Sequence, residues 1–90
     1  MTEQRITKTT ATAVSAFLRR AGWTPRVDYG EGIRVSRGAV GTGGAFVATM
    51  WDLDRKNAEQ SAEAERLLVE AGYVVERFDA AHFYVTGRKA

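Results

Sequence analysis

The chain of 90 residues contains no cysteine. That excludes disulfides, thiolate metal sites and a cysteine nucleophile. One histidine, His82, and one proline, Pro25, are present. A lone imidazole acting as a general base needs a nucleophile or an orienting carboxylate nearby. Asp79 is the nearest in sequence, and its three-residue spacing across a turn predicts a turn hydrogen bond. No general acid–base constellation stands out, so the expectation is a non-enzymatic protein with no catalytic residues, no cofactor and no metal. No apolar run approaches the roughly 18 residues of a membrane span, and the N-terminus lacks a signal-peptide core. A cytoplasmic protein is expected, of the kind a small viral or accessory protein would be. Leu and Ile are scarce, four and two, so Val, Ala and nine aromatics must fill much of the interior.

Acidic charge is scarce in the first half. Residues 1–45 carry seven basic and three acidic side chains, and residues 46–90 carry six and eight. The net charge of +2 is too small to argue for nucleic acid by itself. Apolar residues make up 44% of the chain, enough for one packed domain.

What is present is a repeat. Leu18-Arg19-Arg20-Ala21-Gly22-Trp23 is echoed 50 residues later by Leu68-Val69-Glu70-Ala71-Gly72-Tyr73. Each reads as the last turn of a helix, a glycine stop and an aromatic that opens a strand. The same offset relates Ile33 to Phe83 and Val35 to Val85. Duplication and convergence of two helix–hairpin units both account for it.

Thr9 or Thr10 caps a first helix over about residues 9–21, with Val14, Phe17 and Leu18 in one apolar stripe. Residues 24–29 read as a strand opened by Pro25. Ile33 to Arg37 alternates as a half-buried strand, and Ala45 to Trp51 reads as a central one. Asp52 or Asp54 is expected to cap a second helix with Ala58, Ser61, Ala64, Leu67, Leu68 and Ala71 inward. Tyr73 to Phe78 and His82 to Thr86 form a hairpin around Asp79-Ala80-Ala81. Residues 1–8 and 87–90 read as loose termini. The expected fold is therefore α+β, a two-layer sandwich in the order α-β-β-β-α-β-β. Two helices would pack on one face of a mostly antiparallel five-stranded sheet. The third strand, second helix and fourth strand would form a right-handed crossover.

Three motifs invite chemistry. Gly38 to Gly44 holds four glycines, yet it runs from strand to strand without a Lys, so it reads as a hairpin loop and not a phosphate cradle. Asp52 and Asp54 have the oxygen ligands Mg²⁺ takes, but they lie where a helix must start. The third is the sheet face turned away from the helices. Arg34, Ser36, His82, Tyr84 and Thr86 are expected there, joined by Val47, Thr49 and Trp51. A face bearing Arg, Tyr and Trp can anchor a protein or stack bases. Arg34, Ser36, Trp51, His82 and Tyr84 are the candidate partner-binding residues of a monomer or homodimer. The alternative partner is nucleic acid, through Arg19, Arg20, Arg26, Arg37, Arg55 and Lys56.

Arg55-Lys56-Asn57-Ala58-Glu59-Gln60-Ser61-Ala62 resembles the start of the last helix in double-stranded RNA-binding domains. The resemblance implies an α-β-β-β-α order and phosphate contacts from Arg55 and Lys56. The chain departs from that pattern in lacking the Gly-Pro-x-His loop and in its extra hairpin. It also carries Glu59, Glu63, Glu65 and Glu70 on the same helix, where like charge repels phosphate.

Overall fold

The computed structural model describes residues 6–23, 31–38 and 44–89. Their order is β1 (Ile6–Thr7), α1 (Ala11–Arg20), β2 (Gly32–Arg37), β3 (Ala45–Met50), α2 (Asp54–Glu70), β4 (Tyr73–Asp79) and β5 (His82–Lys89).

Thr10 starts α1, its hydroxyl oxygen accepting from the Ala13 N–H at 3.1 Å. Val14 and Leu18 turn inward and are fully buried. At the far end Gly22 stands at φ +97°, donates to Arg19 O at 3.0 Å, and Trp23 donates to Leu18 O at 2.9 Å. That pair of bonds satisfies two carbonyls a helix end leaves free. Gly72 repeats the geometry after α2, at φ +95° with a 3.0 Å bond to Val69 O.

The start of α2 differs from the expected aspartate cap. Leu53 occupies the cap position with no side-chain bond, and Asp54 is already the first helical residue. Asn57 does the tying instead. Its amide accepts from the Trp51 N–H at 2.6 Å and donates to Trp51 O at 2.8 Å. The Thr49 hydroxyl lies within donating distance of Asn57 O (3.0 Å) and of Ala81 O (3.1 Å). The end of β3, the first turn of α2 and the β4–β5 turn are thus joined by polar bonds around Thr49, which is 2% exposed.

Every strand pairing among the described residues is antiparallel. Arg88 of β5 stands between Tyr73 of β4 and Thr7 of β1, so these flank opposite edges. On the β1 edge β5 also pairs with β3, which pairs in turn with β2. Four full strands therefore run β4-β5-β3-β2, and β1 adds two residues beyond the end of β3. This corrects the expected five full strands and their order. The full elements run α-β-β-α-β-β, and the strand expected at residues 24–29 lies outside the described residues. β3 and β4 share the sheet and run parallel, as expected of strands joined through a crossover helix, with β5 lying between them. Burial accounts for the insertion. β5 presents Phe83 and Val85 at zero exposure and suits an inner position, while β4 grows exposed from Glu76 onward and suits an edge.

β5 also continues to Lys89, past the strand read in the sequence, and Lys89 N–H donates to Gly72 O at 2.7 Å. Both helices cover one face. Val14 and Leu18 from α1, and Ala64 and Leu68 from α2, pack on Ile33, Ala45, Val47, Tyr73, Phe83 and Val85. No helix among the described residues is long and apolar enough to cross a membrane.

Gly44 closes the glycine-rich segment, and it is not a free surface position. It holds φ +78°, and a Cβ there would land inside contact distance of the Val85 carbonyl oxygen. The rest of that loop, residues 39–43, lies outside the described residues.

Candidate functional site

Directly opposed residues of an antiparallel sheet share a face. The register therefore sorts the strands into rows. Val35, Val47, Phe83 and Arg77 form one row, which lies under the helices. Ser36, Phe46, Tyr84 and Glu76 form the next, on the opposite face. Arg34, Ala48, His82 and Asp79 form a third, also on that open face. Among the described residues nothing covers it.

Four rings meet at the centre of this face. Phe46 lies 4.8 Å from Tyr84 between ring centroids and stacks on His82 at 5.5 Å, 16° from parallel. Phe78, from the irregular end of β4, meets the others edge-on: 6.2 Å from Phe46, 6.1 Å from Tyr84 and 6.4 Å from His82. Edge and offset contacts of this kind match the charge distribution of aromatic rings. Phe78 nevertheless remains 64% exposed.

Arg34 marks the β2 side of the face with positive charge, and Glu76 and Asp79 mark the β4 side with negative charge. Asp79 Oδ1 lies 2.6 Å from His82 Nδ1 and accepts from the Ala81 N–H at 2.9 Å. The His82 bond, then the Ala81 bond, hold the Asp79 carboxyl below its ordinary range. This carboxylate ties the hairpin turn, as its spacing predicted. Arg77 has turned to the other face, where it pairs with Glu65 at 2.7 Å and lies 5.0 Å from the centre of the Phe83 ring.

Arg34, Ser36, His82 and Tyr84 thus share the open face. Trp51 does not, and neither do Val47 and Thr49. Val47 and Thr49 are buried on the helix side, and Trp51 lies edge-on to Trp23 at 6.4 Å with Lys56 above its ring at 5.7 Å. The reason is parity: Val47 opposes Phe83, so the phase of β3 that includes Val47 must face the helices. Phe46 and Phe78 were the residues missed. Alternation from Glu76 places Phe78 outward, and the same logic from Tyr84 places Phe46 beside it. The equivalence of positions also shifts. Across β3, Arg34 matches His82 and Ser36 matches Tyr84, an offset of 48 where the sequence repeat is 50.

The basic candidates are scattered. Arg19 and Arg20 flank an open groove of about 590 Å³ between α1 and β2, floored by Ala11, Ala16 and Val35. Arg37 is exposed at the end of β2, and Arg26 lies outside the described residues. Arg55 pairs with Glu59 at 3.2 Å, and Lys56 is occupied by Trp51. The order after α2, a second hairpin, departs from double-stranded RNA-binding domains. No protein-family model matches the chain, and no curated protein and no solved structure shows significant similarity to it.

Proposed function

We propose that this chain is a small cytoplasmic interaction module, not an enzyme, that docks a protein through the open face of its sheet. The observation that carries this reading is Phe78, 64% exposed within a four-ring cluster on the open face. Rigid aromatic rings supply contact area at low entropic cost, and clustered rings bordered by polar groups are the usual make-up of a binding hot spot. Glu76 and Asp79 on the same face weigh against phosphate, and the basic residues do not gather into one stripe. Nucleic-acid binding is therefore the weaker reading.

The test is a photo-cross-linking amino acid placed at position 78, with position 63 on the outer side of α2 as control. Protein adducts should form from position 78 and not from position 63. Equal adducts from both positions would place the docking surface elsewhere.

A further inference from the structure

The open face carries its charges on opposite edges and its rings in the middle. Arg34 lies on β2, Phe46 on β3, His82 and Tyr84 on β5, and Glu76 and Asp79 on β4. Such a face is complementary to itself under a particular rotation. Consider a two-fold axis in the plane of contact, parallel to the strands and passing between β3 and β5. It brings β2 over β4 of the second copy and β3 over its β5, and it keeps every row at the same height.

The rows then read off the contacts. In the first, Arg34 meets the partner's Asp79 and Ala48 meets the partner's His82. In the second, Phe46 meets the partner's Tyr84 and Ser36 meets the partner's Glu76. Each contact occurs twice, as an isologous interface requires. The charge pattern also rejects the competing arrangement. A two-fold axis across the strands would stack β2 on β2 and β4 on β4. With the axis between the two rows, Glu76 would face the partner's Asp79 and Arg34 would gain no carboxylate.

Resting on the docking reading above, we propose that the partner of the open face is a second copy of this chain, paired sheet to sheet about the strand-parallel axis. The two inner faces would pack about 10 Å apart, with the modest rotation that twisted sheets impose. Phe78 would seal the rim beside the partner's β2. A four-stranded face of this length falls in the small class of interfaces, below roughly 1,200 Å² in total. The dimer is therefore expected to dissociate on dilution.

The test is sedimentation of the purified chain over a wide concentration range. Wild type should pass from monomer to dimer. Arg34→Glu, which sets a carboxylate against the partner's Asp79, should weaken the dimer at least about tenfold while melting like wild type. Asp79→Arg should weaken it as much, beyond any loss of stability from the turn bonds Asp79 also makes. An equimolar mixture of these two variants should dimerise again, because in the mixed pair each position 34 faces an opposite charge at position 79. A wild type that stays monomeric at every concentration overturns the proposal. So does a mixture that stays monomeric, or variants that dimerise as tightly as wild type. A monomeric chain that still cross-links a different protein from position 78 overturns the self-pairing alone and leaves the docking reading standing.

Discussion

Phe83 and Tyr84 are neighbours in the chain, and the sheet sends them to opposite fates. Phe83 faces the helices at zero exposure, in contact with the layer built from Val14, Leu18, Ala64 and Leu68. Tyr84 faces outward and is half-buried, with Phe46 and Phe78 against its ring. The same division holds for Val47 against Phe46 and for Arg77 against Phe78. One face is closed by side chains from two helices, and the other is left to rings from the sheet itself. What an aromatic contributes here depends on its parity in the strand, not on its chemistry.

The comparison can be broken most severely on the covered face. Phe83→Ala should cost about 3–5 kcal/mol in denaturant titration, the usual range for removing a buried ring. A cost below about 1 kcal/mol would mean the two faces are exchanged. Gly44→Ala should come next, at about 2 kcal/mol or more, because the residue holds φ +78° against the Val85 carbonyl. An unchanged melting temperature would show that β3 and β5 separate easily at that end.

The open face should behave in the contrary way. Phe78→Ser is expected to change stability by no more than about 0.5 kcal/mol, as for other exposed positions. If it unfolds the protein, the ring cluster is part of the core after all. The smallest effect concerns pH. Asp79 has its folded pKa lowered by the His82 and Ala81 bonds. Its contribution is fully present above about pH 3.9, the unfolded value, and is lost as pH falls through the lower folded value. Asp79→Asn should therefore flatten the acid end of the stability profile. An identical acid limb in variant and wild type would show that the turn bond is not maintained in solution.

The helices were largely legible in the sequence. Thr10, Gly22 and Gly72 punctuate them by local rules, and local rules survive packing. The β4–β5 hairpin was legible for the same reason, since Asp79 closes a tight turn. The order of strands was not, because nothing local to β4 or β5 states which of them takes the inner position. The phase of β3 was the costly ambiguity for the site. With apolar residues on both parities, alternation alone leaves open whether Phe46 or Val47 faces the helices. Only the register with Phe83 decides it. On that account the sequence alone points Trp51 to the open face and omits Phe46. The α2 cap failed differently. Aspartates at 52 and 54 fit the rule, but an asparagine three residues into the helix supplies the bonds.

β5 touches β1, β3 and β4, and it is the last of the described elements to be made. During synthesis, β2, β3 and α2 emerge with their apolar sides formed and the strand that unites them still missing. Val47 and Leu68 have no Phe83 to pack on until nearly the whole described chain is out. The β2–β3 and β4–β5 pairings are each local, but neither closes the core alone. The sheet is complete only when β5 docks on β3, so the pairing of these separated segments sets the pace of folding.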